Sequence, residues 1–344
     1  MSHVAVVSFR LGGTDGVSIE SAKWVAALGE LGHDVTTVAG AGRAHRLLPG
    51  LAPDAAAPPS KEELGDALST CDVVIVENLT SLPLNVAARE VLYEVLEGRD
   101  AIFHHHDLAW QRPHLAHLEG PRDAPQWSHV TINEVSRREL AERGIEATTI
   151  YNSFDCDPGT GRRAATRRAL GVDDQRLVAM PTRAIARKNV AGAVALCERL
   201  DAVLWLMGPA EDGYGPELDA LVARSPVAVR RMMPPGVDMD DAYAAADLVV
   251  MPSTWEGFGN PVLESVTHRR PLALNRYPVA VEIASFGFEF FDLHDVRRIE
   301  EFLRCPDEGL YEANLEVARR HFNLAHLPGR LQDLLARSIG NDDD

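Results

Sequence analysis

The chain has 344 residues, more than a typical single hydrophobic core requires, and this length predicts two domains. Its 34 basic and 51 acidic residues give a net charge of −17, which excludes a global attraction to nucleic acid or to anionic membranes. The four cysteines form no Cys-x-x-Cys pair, so we expect neither a disulfide framework nor a zinc site. No apolar stretch reaches the about 18 residues of a membrane span, and no signal peptide is visible. We therefore expect a cytoplasmic protein.

Strand and helix patterns alternate along the chain, which predicts an α/β protein with parallel sheets. In the first half, strands are predicted at 3–8, 34–39, 72–77, 101–106, 128–132 and 146–151, and helices at 17–31, 61–69, 84–97 and 134–143. Residues 152–162 are rich in Asn, Ser, Asp, Pro and Gly and predict a linker. The pattern then restarts, with strands at 176–181, 202–207, 227–232, 247–251 and 271–275, and helices at 189–199, 215–223, 239–245, 260–268, 310–321 and 328–338. An acidic tail at 342–344 is predicted to be disordered.

A glycine loop, Leu11-Gly-Gly-Thr-Asp-Gly16, follows the first strand. Its spacing differs from the Gly-x-Gly-x-x-Gly fingerprint, and the second strand ends without an acid that could hold a ribose. An NAD-dependent dehydrogenase is therefore disfavoured. A tight turn without a ligand remains the alternative to a ligand-binding loop.

Three histidines and an aspartate, His104 to Asp107, end the fourth predicted strand. Strand alternation places His104 and His106 on one face and His105 on the other. A metal site is disfavoured because histidine ligands usually require further ligands at defined positions. A packed, hydrogen-bonded histidine without a chemical role remains the alternative to a functional one.

Basic residues lie where the first strand of the second half gives way to a helix, in Met180-Pro-Thr-Arg183-Ala-Ile-Ala-Arg187-Lys188-Asn189. A helix N-terminus with two fixed cations suits a diphosphate. The alternative is a pair of solvated cations at a helix start.

The most informative segment is Pro252-Ser-Thr-Trp-Glu256-Gly-Phe-Gly-Asn260-Pro-Val-Leu-Glu264, between a predicted strand and helix. Phosphates favour helix N-termini at the carboxyl ends of parallel strands, where glycines permit close approach. A carboxylate at each end of this turn can accept hydrogen bonds from vicinal hydroxyls. Together these properties fit a nucleotide-sugar, whereas the alternative is a surface turn with solvated acids.

This segment resembles the paired-glutamate signature of the retaining glycosyltransferases of the GT-B fold, especially glycosyltransferase family 4 (group 1). The family's features occur in order: the glycine loop, the His-Asp strand end, an Asn-x-x-Asp junction at 152–155, the Arg183/Lys188 pair and the two glutamates. The resemblance implies two Rossmann-like domains facing a cleft, with a C-terminal helix crossing back to the first. It places the acceptor domain at 1–155, the nucleotide-sugar domain at 156–320, and the crossing helix and tail at 321–344.

The resemblance also implies an activity and a set of site residues. The activity is retaining transfer of a hexosyl unit from a nucleotide-diphospho-sugar, such as a UDP- or GDP-hexose, to an unidentified acceptor, by a metal-independent front-face mechanism without a cofactor. The implied catalytic residues are Glu256 and His106. The implied donor-binding residues are Gly13, Arg183, Lys188, Gly257, Phe258, Gly259, Asn260 and Glu264. Because Asn189 follows Lys188 where the family usually has Gly, Arg187 stays open as the alternative to Lys188. Gly208 and Met232 would frame the base, and Thr14, Asp107 and Trp110 would contact the acceptor, with Asp107 and Trp110 also able to orient His106.

Other function classes stay open at this level. They are another GT-B enzyme, such as a phosphorylase or nucleotide-sugar epimerase, and a non-catalytic nucleotide-sugar-binding protein. No nucleic-acid partner or integral membrane segment is expected, and a homo-oligomer is left open. The Asp-x-Asp sequences at 155–157 and 238–240 match a metal motif of the other glycosyltransferase fold, but we interpret them as chance matches, with Asp238 to Asp241 as helix N-terminal acids.

Overall fold

A computed structural model of the chain describes residues 2–339, so the predicted tail at 342–344 lies outside the described residues. The strands are β1 His3–Leu11, β2 Asp34–Gly42, β3 Arg46–Leu47, β4 Val73–Glu77, β5 Ala101–His105, β6 Trp127–Thr131, β7 Ala147–Thr149, β8 Leu177–Met180, β9 Val203–Leu206, β10 Val229–Arg231, β11 Leu248–Met251, β12 Leu272–Leu274 and β13 Phe291–Asp292. The helices are α1 Gly16–Glu30, α2 Lys61–Leu68, α3 Val86–Leu96, α4 Glu134–Ala141, α5 Arg163–Leu170, α6 Val190–Leu200, α7 Gly215–Ala223, α8 Met239–Ala245, α9 Asn260–Thr267, α10 Pro278–Ala284, α11 Val296–Arg304, α12 Glu308–His321 and α13 Leu327–Ile339. Over residues 2–339, no helix is both long and apolar enough to cross a bilayer.

Two parallel sheets organise the described chain. The first has the order β3-β2-β1-β4-β5-β6-β7 and the second the order β10-β9-β8-β11-β12-β13, and the paired strands run parallel. In each sheet, later strands are added in chain order on both sides of a central pair of strands. This pair is β1/β4 in the first sheet and β8/β11 in the second. Such a pair is the switch point of a doubly wound sheet, and ligands bind beside it at the carboxyl ends of the strands. The predicted α/β architecture with two Rossmann-like sheets is confirmed.

The first unit comprises residues 2–153 and 324–339. One face of its sheet packs on α2 and α3, whose buried leucines surround Phe103 and Val74. The other face packs on α1 and α13, where Trp24 and Leu331 belong to one apolar cluster. The last helix of the chain therefore completes the core of the first unit.

The second unit comprises Phe154–Asn323. One face of its sheet packs on α6, α7 and α11. The other packs on the ends of α5 and α8, where Trp205 is fully buried. Both faces are covered, which explains why strands such as Leu248–Met251 read as continuous apolar runs.

Several elements of the second unit and the short strand β3 are absent from the prediction. Helix α5 (RAATRRAL) has few large apolar residues, so its sequence does not predict a helix. Arginine side chains hold it in place instead. Arg163 donates to the carbonyls of Ala244, Ala245 and Ala246 at 2.8–3.1 Å, and Arg167 donates to Ala245 at 2.7 Å. Helices α10 and α11 and the two-residue strand β13 are also absent from the prediction. The first and last are short, whereas α11 has a clear apolar face of Val296, Ile299 and Phe302 that the prediction overlooks.

Replacing Leu331 by Ala should destabilise the first unit. Leu331 is 1% exposed in the cluster with Trp24, and truncating a buried leucine costs about 2–5 kcal/mol. We expect a lower urea midpoint of unfolding, measured by tryptophan fluorescence, whereas the neighbouring exposed variant Gln332→Ala should unfold like the wild type. Equal midpoints for the two variants would contradict the placement of α13 in this core.

Candidate functional site

At the switch point of the second sheet, the loops after β8 and β11 are bound to each other. The backbone N–H of Thr254 donates to the carbonyl of Arg187 at 2.9 Å. The Asn189 side chain donates to the carbonyl of Pro252 at 3.3 Å and caps the start of α6. The side chain of Asn275, which follows β12, donates to the same Pro252 carbonyl at 3.0 Å. These bonds fix the two loops on which the predicted cations and the first glutamate lie.

Glu256 occupies the centre of this pair of loops and is 4% exposed. Arg187 Nη1 donates to Glu256 Oε2 at 2.7 Å and also to the carbonyl of Trp255 at 2.7 Å. Lys188 Nζ donates to Glu256 Oε1 at 2.5 Å. Each carboxylate oxygen therefore has its own cation. Arg187, which the predicted donor set left out, is as closely engaged as Lys188.

Burial and neighbouring charges shift the pKa values of Glu256 and Lys188 in opposite directions. Burial alone would raise the pKa of Glu256, but the charges of Lys188 and Arg187 hold this pKa below its usual value. Burial lowers the pKa of Lys188, and the charge of Glu256 opposes that shift. The carboxylate is therefore ionised at neutral pH and fixed between two positive groups.

Helix α9 begins immediately beyond Glu256, with Gly259 as its N-cap. Gly259 has φ +88°, and a Cβ atom there would lie 2.7 Å from the hydroxyl oxygen of Tyr277. Only glycine fits this position without strain. Phe258 is buried and stacks on Phe154 with ring centroids 5.8 Å apart. Helix N-termini favour anions, and the prediction that residues 257–260 bind a phosphate stays a prediction.

Glu264 lies one to two turns into α9 and accepts a hydrogen bond of 2.6 Å from the hydroxyl of Tyr243, on α8. Burial raises the pKa of Tyr243 well above its usual value, and the charge of Glu264 adds to the effect. Tyr243 therefore stays protonated and holds the carboxylate in place. No pattern in the sequence predicts this role for Tyr243.

Arg183 and Gly208 lie side by side after β8 and β9. Arg183 Nη1 donates to Glu211 Oε2 at 2.6 Å, and both side chains are more than a third exposed. A Cβ atom on Gly208 would lie 2.6 Å from the carbonyl oxygen of Thr182, so glycine is needed for this approach. Met232, after β10, has φ +65° and an exposed side chain, while its carbonyl accepts from Trp205.

In the first unit, His104 and His106 lie on one side of β5 and His105 on the other, as predicted. Glu77 Oε2 accepts from His104 Nδ1 at 3.0 Å and from His106 Nε2 at 2.7 Å. His105 Nε2 instead lies 2.8 Å from Nδ1 of His129. The sequence analysis missed Glu77, although an acid at the end of a buried strand beside the histidine strand was a usable signal.

The predicted acceptor residues have other partners in the structure. Asp107 pairs with Arg112 at 2.7 Å. Trp110 Nε1 donates to Glu139 at 2.8 Å. The prediction that Asp107 or Trp110 orients His106 is therefore corrected, because the His106 ring bonds to Glu77. Their contact with an acceptor stays a prediction.

The glycine loop at the carboxyl end of β1 carries Gly13 and Thr14. Gly12 has φ +70°, and Asp15 caps α1 by accepting from the backbone N–H of Ser18 at 3.1 Å. A Cβ atom on Gly13 would lie 2.9 Å from a carboxylate oxygen of Asp15. The loop lies beside the switch point of the first sheet, next to the strand that ends in Glu77.

The Asp-x-Asp matches have structural explanations. Asp238 caps α8 by accepting from the backbone N–H of Asp241 at 2.9 Å, as expected for helix N-terminal acids. Asp240 pairs with His268 at 3.0 Å, and Asp157 pairs with Arg319 at 2.9 Å.

Comparison with known proteins agrees with this geometry. Residues 185–288, which contain the Glu256 cluster, match the family described as Glycosyl transferases group 1. Mannosylglucosylglycerate synthase of Thermotoga maritima is 26% identical, in an alignment covering 98% of this chain and 99% of that protein. The Anabaena protein HepE, solved with UDP-glucose, is 16% identical with a TM-score of 0.71 and covers 97% of this chain and 99% of its own. Sucrose-phosphate synthase from Thermosynechococcus elongatus is 15% identical with a TM-score of 0.73, covering 99% and 100%.

Two doubly wound units with these structural neighbours define the GT-B fold. The chain is a GT-B glycosyltransferase, and its second unit carries the group 1 domain.

Replacing Gly259 by Ala should strain the turn before α9. The positive φ and the contact with Tyr277 should together cost about 1–3 kcal/mol, seen as a lower urea midpoint. The matched control is Gly65→Ala in α2, where a Cβ atom meets nothing within 4 Å and alanine should be favoured by about 0.5–1 kcal/mol. If both variants were as stable as the wild type, the turn geometry would be wrong.

Proposed function

We propose that the chain is a retaining hexosyltransferase that uses a nucleotide-diphospho-sugar donor and a small hydroxyl-bearing acceptor. The Glu256 cluster carries this proposal. It combines an ionised carboxylate, two buried or half-buried cations and a helix N-terminus at the carboxyl edge of one sheet. Carboxylates accept from sugar hydroxyls, while cations and helix amides bind phosphates, so both halves of a nucleotide-sugar find complementary groups.

In this proposal the donor diphosphate binds Arg183, Lys188 and the backbone N–H groups at 257–260. Arg187 joins this set because it shares Glu256 with Lys188. Glu264, held by Tyr243, accepts from the ribose hydroxyls. Gly208 and Met232 frame the base. Support for a nucleotide-sugar also comes from HepE, whose structure contains UDP-glucose.

The acceptor proposal draws on the Thermotoga relative. Its name describes a product containing mannosyl, glucosyl and glycerate groups, and its alignment covers nearly all of this chain. We therefore propose a small acidic glycoside of the glucosylglycerate class. The proposed contacts of the first unit are His106, Gly13, Thr14, Asp107 and Trp110.

The proposed reaction takes place on one face of the sugar. The bond between the anomeric carbon and the donor phosphate oxygen breaks, and the acceptor oxygen bonds to the same face, so the anomeric configuration is retained. The acceptor proton passes to the leaving phosphate. Glu256 stabilises the positive charge that develops on the sugar, and the nearby cations stabilise the leaving diphosphate.

The direct test is a donor and acceptor screen with the full chain. UDP-glucose and GDP-mannose are each incubated with and without glucosylglycerate, and nucleotide release and the anomeric configuration of the product are measured. We expect acceptor-dependent release from one donor and a retained configuration. An inverted product would overturn the retaining mechanism, and nucleotide-sugar binding without release from either donor would contradict the proposed transfer reaction.

Replacing Glu256 by Gln should lower kcat by about 100-fold or more, because it removes a negative charge that stabilises the transition state. The nucleotide should bind at least as tightly, because the carboxylate charge no longer competes with the diphosphate for Arg187 and Lys188. Glu312→Gln serves as the control, since that exposed carboxylate lies outside the proposed site and pairs with Arg269. Near-wild-type turnover in the Glu256 variant would remove it from the proposed role.

Arg183→Ala and Lys188→Ala should each weaken nucleoside diphosphate binding by about 1.5–3 kcal/mol, the size of a charge-assisted contact. Isothermal titration calorimetry with UDP and GDP measures this loss. Arg297→Ala, an exposed arginine paired with Glu301 on α11, should bind like the wild type. Unchanged affinity in both site variants would move the phosphate site elsewhere.

Turnover should persist in EDTA, because Arg183, Arg187 and Lys188 supply the positive charge that a metal would otherwise provide. The assay compares rates before and after chelation. Within residues 2–339, Glu77, His104 and His106 are the group whose ligand atoms could hold a metal, lying within 4.8 Å of one another. Loss of activity that Mn²⁺ or Mg²⁺ restores would contradict metal independence and direct attention to that group.

A further inference from the structure

Glu77 is a fully buried acid at the switch point of the first sheet, and the proposed reaction gives it no role. It ends β4, directly beside β5, from which His104 and His106 reach it. Both imidazoles bond to the same oxygen, Oε2. Its other oxygen, Oε1, is buried and has no hydrogen-bond partner among residues 2–339.

The protonation state of Glu77 determines the tautomers of both rings. Burial alone would raise the pKa of Glu77, but His104 and His106 lower it to about 2. The ionised carboxylate can only accept hydrogen bonds, so each ring must present an N–H to it. In a neutral His106 ring this N–H is on Nε2, and the lone pair is then on Nδ1.

The backbone around His106 is also fixed. Asn78, which follows Glu77 with φ +59°, accepts through Oδ1 from the backbone N–H groups of His106 and Asp107, at 3.0 Å each. The ring of His104 stacks on Trp24 with centroids 4.0 Å apart, so it is confined as well. His106 keeps 5% of its surface exposed, and no side chain or backbone group in the described part of the chain bonds to its Nδ1.

The charge of Glu77 is not neutralised by a fixed cation. Within residues 2–339 its ion-pair partners are the two histidines, and burial lowers the pKa of His104, which favours a neutral ring. A carboxylate that accepts from one ring nitrogen of a histidine makes the opposite nitrogen more basic and fixes the ring orientation. His106 Nδ1 is therefore a strong and well-directed hydrogen-bond acceptor.

We propose that Glu77 is a positioning residue that holds His106 as the Nε2–H tautomer, so that Nδ1 accepts a hydrogen bond from a hydroxyl of the bound sugar. A hydroxyl can donate to this lone pair, whereas a phosphate oxygen cannot. The inference rests on the proposed function, because it assigns a ligand to His106, but its first two tests do not require turnover.

The tautomer can be measured directly in the wild-type chain labelled with ¹⁵N-histidine. Long-range ¹H–¹⁵N spectra distinguish protonated from unprotonated ring nitrogens, and the His106 signals are assigned by their loss in His106→Ala. We expect a protonated Nε2 and an unprotonated Nδ1. A protonated Nδ1 with a bare Nε2 would overturn the proposal, and so would signals that change on EDTA treatment, since they would show a metal in place of the N–H protons.

Ligand binding provides the second measurement. Adding UDP-glucose or GDP-mannose should shift the His106 Nδ1 resonance toward lower frequency, as expected when a lone pair accepts a hydrogen bond, and UDP or GDP alone should not. The pair formed by His105 and His129 serves as an internal control and should not move. An unmoved Nδ1 at donor saturation would overturn the assignment of a sugar hydroxyl to His106. A shifted Nδ1 without turnover would instead support this inference and contradict the proposed transferase reaction.

Glu77→Gln tests the positioning role. A glutamine can donate to one imidazole, so we expect His106 to populate the Nδ1–H tautomer and kcat to fall about 10- to 100-fold, with the nucleotide Kd unchanged. The double variant with His106→Ala should be no slower than His106→Ala alone. Independent losses that multiply in the double variant would contradict action through His106. His104→Gln, which keeps a donor toward Glu77, should leave the His106 tautomer unchanged.

Discussion

The second unit is organised around one buried carboxylate held between two cations. Glu256 joins the loop after β11 to the loop after β8, because Arg187 and Lys188 each bind one of its oxygens. Removing one member of such a cluster leaves a buried charge without compensation, which typically costs about 3–5 kcal/mol. The same three side chains that fix the loops also give the carboxyl edge of the sheet its charged groups. The Glu256 cluster therefore contributes both to the loop structure and to the candidate chemistry.

The two units repeat this arrangement with opposite electrostatics. Each sheet has a buried carboxylate at the carboxyl end of the second strand of its central pair. Glu77 is the last residue of β4, and Glu256 lies shortly beyond β11. Glu256 is matched by two cations, so its surroundings remain able to attract phosphate. Within residues 2–339, the ion-pair partners of Glu77 are two imidazoles, so its surroundings favour groups that donate hydrogen bonds. One unit is thus suited to an anion and the other to hydroxyls, as a nucleotide-sugar and a polyhydroxylated acceptor require.

The sequence predicts secondary structure and turns that depend on neighbouring residues. It does not predict side-chain contacts between residues that are far apart in the chain. The apolar run before Glu256 and the glycines after it identify a strand, a turn and a helix within fourteen or so residues. Strand alternation likewise separates His105 from its two neighbours. The partners of these residues are distant in sequence: Glu77 lies more than twenty residues from His106, and Tyr243 lies on a different helix from Glu264. Helix α5 was missed for a related reason, since it is held by arginine bonds to the end of α8 rather than by an apolar stripe.

The cation cluster would also explain how a strongly acidic chain could bind the proposed dianionic donor. A net charge of −17 repels a diphosphate at long range, but salt screens such interactions beyond about 8–10 Å. Close to the site, Arg187 and Lys188 are less exposed to solvent than surface cations, so their attraction is screened less. Glu256 partly neutralises both, which keeps Lys188 from standing as an uncompensated buried charge before a ligand arrives. A diphosphate beside them would compete with Glu256 for the same N–H donors. The Glu256 carboxylate could then accept hydrogen bonds from sugar hydroxyls once the donor is bound. Binding of the phosphates would therefore prepare Glu256 for its role in the proposed reaction.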